Sequence, residues 1–393
     1  MTSTDTRPVA EPTAEEAAAL EQLYADFAAA HMAPLWTQRA GLMPETPEPA
    51  AVPMLWRWST LYPLAARSGE LVPVGRGGER RAIALANPGL PGTAYATPTL
   101  WAAIQYLGPR EEAPAHRHTQ TAFRFVVEGE GVWTNVAGDP VAMRRGDLLL
   151  TPGMHFHEHH NTTDHPMAWV DGLDIPLVRQ LDAGFFEFGP DQLATRETPV
   201  ASRNERLWAH PGLRPIGAPR TPASPLMAYR WEHTDAALAA QLELEQEGHP
   251  GVVSPGHAAI RFSNPATGGD ALSTIRCEMH RFARGARSAT TRVAGSAVWQ
   301  VFSGSGVVTV GAERYEVATG DLFAVPSWAP VTLTTEEGLD AFRFSDDPVF
   351  EALGLARSTV EKNRAVDEEQ PADEEQPADE EQAADKEQAG KHA

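Results

Sequence analysis

Residues 114–131 read PAHRHTQTAFRFVVEGEG, and residues 151–161 read TPGMHFHEHHN. Six of the chain's 14 histidines fall in this region: His116, His118, His155, His157, His159 and His160. A lone histidine is ordinarily a packed or surface residue. An H-x-H pair on a strand differs, because alternate side chains share a face and two imidazole nitrogens then meet one centre. Imidazole is the commonest transition-metal ligand, so the chemistry on offer is metal binding; the alternative is a histidine-rich surface strand. By the same alternation His116, His118, Gln120, Ala122 and Arg124 point one way. Arg117, Thr119, Thr121, Phe123 and Phe125 point the other. Two imidazoles, an amide and a guanidinium make an unusual interior unless something binds there. Strand parity alone lets His155, His157 or His159 complete the set.

The elements that must position these groups are short strands. From about residue 80 the chain runs in apolar stretches of strand length broken by turns, such as TLWAAIQYLG, AFRFVVEGEG and GDLLLTPG, and the rhythm returns over 274–345. This predicts an antiparallel sandwich or barrel. VVEGEGVWTNV (126–136) parallels VFSGSGVVTVG (301–311), and GDLLLTPGMHFH (146–157) parallels GDLFAVPSWAPV (320–331). The spacings Gly131 to Gly146 and Gly306 to Gly320 agree within one residue, so a duplicated β domain is expected. The chain divides into a helical or irregular arm over 1–79, a β domain over 80–190, a connection over 191–255, a second β domain over 256–358 and an acidic tail over 359–393. Within the arm, 13–33 reads as a helix capped by Thr13, with Glu15 and Glu16 in its first turn and Leu20, Leu23, Tyr24, Phe27 and His31 as its apolar stripe. A second short helix is expected over 54–71, its Trp56 and Trp58 serving packing.

Net charge is −21, and the DEEQPA-type repeats of 367–393 carry nine of those charges. That segment lacks aromatic and β-branched residues and is expected to be disordered, without an active-site role. The acidic body has no basic stripe, which excludes a nucleic-acid partner. No run of about 18 apolar residues crosses a membrane. With Cys277 as the single cysteine and no signal-type N-terminus, a cytoplasmic location is expected.

The order Gly108…His116-Arg117-His118…Gly131 followed by Gly146-Asp147…Pro152…His157…Asn161 resembles the two motifs of cupins. Met154 stands where the second motif usually has glycine, and Ala122 and Phe123 stand where a glutamate ligand is usual. The resemblance selects His157 as third ligand, and implies an all-β bicupin fold. More narrowly, LWRWSTLYPL, ANPGL, HRHTQTAFRFVVEGEG and WVDGLDIPLV (169–178) resemble gentisate 1,2-dioxygenases, which are bicupin ring-cleaving iron enzymes related to salicylate and 1-hydroxy-2-naphthoate dioxygenases. The likeness spans about residues 20–360.

The resemblance implies one Fe(II) per chain on His116, His118 and His157. Three neutral imidazoles leave the ion its full charge and about three open positions for an anionic chelating substrate and O2. The implied reaction opens gentisate, 2,5-dihydroxybenzoate, between its carboxyl- and adjacent hydroxyl-bearing carbons to give maleylpyruvate. Arg124 lies on the ligand-bearing face and can pair with the substrate carboxylate; the alternative is a buried salt bridge with Asp171. His159, on the face of His157, can act as acid–base, and Asp171 can orient Arg124 or His159. Gln105 and Trp101 share one face of a neighbouring strand and are expected in the substrate pocket, as is Arg80 rather than Arg81. A homotetramer is also implied. The second half offers Thr290-Thr291-Arg292 for the H-R-H triplet and Val331 for His157, so it is expected to be metal-free, with Trp299 and Arg292 in packing and surface roles. The alternatives are the same chemistry on salicylate or 1-hydroxy-2-naphthoate, or a metal-bearing bicupin that only binds aromatic acids.

Overall fold

The computed structural model describes residues 12–75, 77–78, 81–190, 193 and 199–361, without the side chains of residues 39 and 40. Arg80 and the acidic tail beyond Glu361 lie outside the described residues.

Eight antiparallel strands form the first barrel. Leu148–Thr151, Ala122–Glu128, Met167–Leu173 and Trp101–Leu107 lie side by side in one sheet, and Glu112–His118, His157–Asn161, Val132–Val136 and Asp139–Ala142 in the other. Gly129 and Gly131, with φ of 88° and 91°, break the chain between the sheets in a conformation that disfavours side chains with a Cβ. The second barrel repeats the pattern, except that Ala297–Val310 runs unbroken through both of its sheets.

The cross-strand register fixes the equivalences. Arg124 pairs with Asp171 as Trp299 pairs with Arg343. His116 pairs with His157 as Thr291 pairs with Val331. The Met154 N–H donates to the His118 carbonyl at 2.7 Å, and the Trp328 N–H donates to that of Val293 at 2.8 Å. The counterpart of His116-Arg117-His118 is therefore Thr291-Arg292-Val293, one residue later than the sequence expectation. Met154 and Trp328 both adopt left-handed backbone, φ 65° and 63°, at the place where glycine would sit without strain.

Alternation within one strand joins the barrels. Arg124 faces the interior of the first barrel, while Phe123 and Phe125 face the second. Phe125 stacks on Phe342 with centroids 4.1 Å apart, and Phe123 meets Phe344 edge-on at 4.8 Å. Gly172 leaves room for the Phe123 ring, which a Cβ there would overlap. Each fully buried phenylalanine contributes about 1.5–3 kcal/mol.

The segments outside the barrels are reciprocal clasps. Met54–Trp56 is a strand, not the start of a helix, and pairs with Leu322–Val325 of the second barrel. The helix Trp58–Leu71 that follows returns to lie on Trp101–Leu107 of the first. Ala228–Tyr229 pairs with Leu148–Thr151 of the first barrel, and the helix Trp231–Gln246 lies on the second. At one junction Asp147 accepts from Arg230 at 2.6 Å and from the Trp231 N–H at 3.0 Å. At the other, Asp321 accepts from Arg57 at 3.0 Å and from the Trp58 N–H at 2.9 Å. Gly146 and Gly320 let Trp231 and Trp58 pass where a Cβ would overlap them. The dipeptide Arg-Trp is thus a second repeated signal, lying in stretches read as arm and connection.

Helix Ala14–Ala29 carries the expected cap, with Thr13 and Glu16 bonding reciprocally, but it buries none of its residues. Its stripe meets a neighbouring turn, where Phe27 packs edge-on against Trp36. The strand Ser358–Glu361 closes the second barrel by pairing with Thr290–Val293, so residues 359–361 belong to the barrel and not to the acidic tail expected from residue 359.

The two clasps differ in burial: the Arg230 side chain is 12% exposed and also holds Glu205 at 2.6 Å, whereas that of Arg57 is 46% exposed. Arg230→Ala strands two buried carboxylates and should lower stability by about 3–5 kcal/mol. Arg57→Ala should cost about 1 kcal/mol or less. Equilibrium urea denaturation of the two variants checks the difference.

Candidate active site

The first barrel opens into a cleft of about 1030 Å³ whose lining includes His116, His118, His157, His159, Arg124 and Asp171. His116 and His118 end the Glu112–His118 strand, and His157 begins its neighbour. The register His116↔His157 then sets the three rings around one point, with centroid separations of 4.3 Å, 5.0 Å and 5.7 Å. One nitrogen from each of the three lies within 4.8 Å of the others, and this is the only group of three or more such donors among the described residues.

Their backbone bonds fix which nitrogen that is. His116 Nδ1 lies 3.0 Å from the Pro114 carbonyl, His118 Nδ1 2.9 Å from that of Gln120, and His157 Nδ1 3.0 Å from that of His155. A carbonyl only accepts, so each Nδ1 carries the proton and each neutral ring keeps its lone pair on Nε2. This is the usual outer support of a metal-binding imidazole. His157 Nε2 is buried with no hydrogen-bond partner among the described residues. Burial, followed by the nearby Arg124 charge, holds His157 well below the ordinary histidine pKa, so it stays in the neutral form that a metal requires. The donor set fits a divalent transition metal.

His155 does not join the trio; its Nδ1 turns to the carbonyls of Pro152 and Gly153 in the same turn. His159 lies in the cleft 6.0 Å from His157, 1% exposed, with no partner for Nδ1 among the described residues. Burial and the Arg124 charge keep it neutral too. His160 faces the opposite way and stacks on Trp133 at 4.0 Å.

Arg124 is buried in the wall of the cleft. It donates to Thr151 Oγ1 at 2.5 Å and approaches Asp171 at 3.6 Å, yet its Nε–H has no hydrogen-bond partner among the described residues. An arginine stays protonated even where burial lowers its pKa, as it does here. Leaving a buried donor unmet costs about 1–3 kcal/mol, which marks a place for a ligand acceptor. The Asp171 carboxyl is pushed up to about 6 by burial, against the pull of Arg124 and the Trp169 indole N–H at 3.0 Å. Trp169 also packs on His159 at 5.5 Å, so Asp171 reaches His159 through that ring.

Gln105 and Trp101 both line the cleft. Arg81 turns elsewhere: it pairs with Glu111 and donates to the Val72 carbonyl at 2.9 Å. Sequence reasoning missed the segment AGFFEFGP (183–190), whose strand Phe186–Phe188 lies along the ligand-bearing strand with Phe186 opposite His118 and Phe188 opposite His116. Phe186 stacks against the His116 ring at 5.6 Å. The F-x-F alternation was the available signal.

Barrel, cleft and imidazole trio together define a two-barrel cupin, and the cupin domain model matches residues 103–175. Over 340 residues the chain is 71% identical to a gentisate 1,2-dioxygenase of a Streptomyces species, covering 86% of this chain and 95% of that one. It is 35% identical over 345 residues to a 5-aminosalicylate 1,2-dioxygenase of a Comamonas species, covering 86% and 89% of the two chains. The crystal structure of salicylate 1,2-dioxygenase from Pseudoaminobacter salicylatoxidans with gentisate superposes with a TM-score of 0.86 at 58% identity, covering 92% of this chain and 97% of that one. The chain belongs to the gentisate 1,2-dioxygenase family and is a ring-cleaving dioxygenase. Among the described residues no helix is long and apolar enough to cross a membrane.

His118→Ala removes one of three donors. Metal affinity should fall by more than about 100-fold, the upper range for losing even an outer partner of a ligand. Metal content per chain after dialysis, with an unchanged far-ultraviolet spectrum, checks this.

Proposed function

We propose that the chain opens gentisate between its carboxyl-bearing carbon and the adjacent hydroxyl-bearing carbon, incorporating both atoms of O2 to give maleylpyruvate, with one Fe(II) held by His116, His118 and His157. The observation that carries this reading is the juxtaposition, in one cleft, of three converging imidazoles and the buried guanidinium of Arg124. The 71% identity to a protein named gentisate 1,2-dioxygenase supports the substrate.

Ferrous iron at the trio supplies the electron exchange that lets triplet O2 react with a closed-shell aromatic ring. The remaining work falls to the chain. Arg124 binds the substrate carboxylate; Thr151 holds its guanidinium through Nη1, and Asp171 faces its Nε at 3.6 Å, beyond hydrogen-bond reach. His159, kept neutral, offers one N–H and one lone pair, and can take and return the proton of a ring hydroxyl. Gln105 hydrogen-bonds a substrate oxygen. Trp101 forms an aromatic wall, and Phe186 a second. The same reading takes the enzyme to be a cytoplasmic homotetramer; support for assembly is that Trp36, Leu42 and Met43 of the arm are more than half exposed. Salicylate is the second reading, favoured by the 58% identity to a salicylate 1,2-dioxygenase.

Protein reconstituted anaerobically with Fe(II) should consume O2 with gentisate faster than with salicylate or 1-hydroxy-2-naphthoate and form a conjugated keto-diacid. Faster salicylate turnover would move the substrate assignment, and no uptake with any of the three would favour a binding protein. Arg124→Ala should weaken the apparent affinity for gentisate by about 1.5–3 kcal/mol, the range for a hydrogen bond to a charged group. Unchanged kcat and KM would remove Arg124 from the site.

A further inference from the structure

The second barrel keeps a cavity of about 350 Å³ at the place where the first holds its imidazole trio. Thr291, Val293 and Val331, the counterparts of His116, His118 and His157, all line it. It has lost the metal donors without being filled, although ~150 Å³ is already enough space to hold benzene. The cation has also been exchanged. The register that makes Trp299 the counterpart of Arg124 puts an indole where the first cleft has its guanidinium. Trp299 lies 4.6 Å from the His280 ring, and Phe282 stacks on His257 at 4.0 Å, so this end of the cavity is bounded by flat rings.

The polar groups here exclude an acid. Arg343, the counterpart of Asp171, is already held by Glu278 and by Asp347 at 3.0 Å. Asp347 is also shared at 3.7 Å with Arg276, which is itself held by Asp270 and Glu351, so among the described residues both cations at this end already have carboxylate partners. Another carboxylate would meet Glu278 and Asp347 as like charges. Burial would raise the Glu278 carboxyl, but Arg343 and then His280 hold it well below the usual carboxylate range, so it is ionised. Burial drives the His257 imidazole down to about 3, so it is neutral. His280 Nε2 faces Glu278 at 3.7 Å and so takes the proton; His280 Nδ1 then accepts the His257 Nε2–H at 3.0 Å. The His257 Nδ1 lone pair is left without a partner among the described residues, on a side chain 5% exposed that lines the cavity.

We propose that the second barrel is a binding site for a small uncharged aromatic molecule bearing one hydroxyl or amino donor, of the phenol class, which packs on Trp299 and donates to the His257–His280 pair. Among the described residues its lining has no imidazole trio and no cation without a carboxylate partner, so its preference is the inverse of the first cleft's.

The test uses the ferrous enzyme under argon, with its first cleft saturated by gentisate and phenol as the probe. Calorimetry should find one phenol per chain, and benzoate should bind at least about tenfold more weakly. Magnetisation transfer should connect the phenol ring protons to the Trp299 indole N–H, assigned by its loss in Trp299→Phe. Ala329→Phe, which fills the cavity, should weaken phenol by about tenfold or more while gentisate turnover, which also reports folding, stays unchanged. Three results would each overturn the proposal: no phenol binding in the gentisate-saturated enzyme, benzoate binding as well as phenol, or binding undiminished in Ala329→Phe. If that variant does not fold, absence of transfer to Trp299 in the unaltered enzyme overturns it instead.

Discussion

The alternation of side chains along Ala122–Glu128 is the constraint on which the rest of the molecule hangs. One strand must put Arg124 into the cleft and Phe123 and Phe125 into the joint with the second barrel, and the pleat does both without compromise. A slip of one residue would bury phenylalanine rings in the cleft and leave a guanidinium in an apolar interface. Site and interface are therefore specified together. The second barrel braces the wall that carries Arg124.

The charge balance of the cleft follows from that wall. Imidazoles that ligate a metal contribute no charge, and burial keeps His157 and His159 from acquiring any. Asp171 offsets Arg124 only loosely, at 3.6 Å and with its own carboxyl pushed up to about 6. With a divalent ion on the trio, the ion and the incompletely hydrogen-bonded guanidinium in low dielectric would demand negative charge from whatever enters. The proposed substrate, an aromatic acid with a neighbouring hydroxyl, would supply it.

The two barrels share one frame and differ at matched positions. Where the first has His116, His118 and His157 the second has Thr291, Val293 and Val331, and Trp299 and Arg343 stand for Arg124 and Asp171. What did not diverge is the joint. Asp147 and Asp321 grip an arginine and a tryptophan N–H in the same way, and both clasps cross to the opposite barrel. Asp174 accepts from Thr274 at 2.7 Å across the joint, as Asp346 accepts from Thr99 in return. The shared frame is conserved within the chain because each barrel needs the segment that precedes the other.

Sequence by itself determined what depends on neighbours in the chain. The H-x-H pair, the repeated glycine–aspartate turns and the cap at Thr13 are all local, set by a period of two or by one turn of helix, and the structure has each of them. His118 and Arg124, expected to share a face of one strand, lie instead on two strands of different sheets and meet in the cleft only because the barrel closes. Only the tertiary structure decided what depends on pairing between distant strands. Parity left His155, His157 and His159 equivalent; the register against Glu112–His118 brings His157 to the trio, while a turn draws His155 away. The strand at Met54–Trp56 was read as helix because its partner lies more than 250 residues away and leaves no periodic trace in so short a run. Phe186 entered the cleft by pairing with the ligand strand, and the second cavity appeared only when the barrel closed. Side-chain direction is written into a strand's own sequence, whereas which strand lies beside it is settled by the burial that the whole fold achieves.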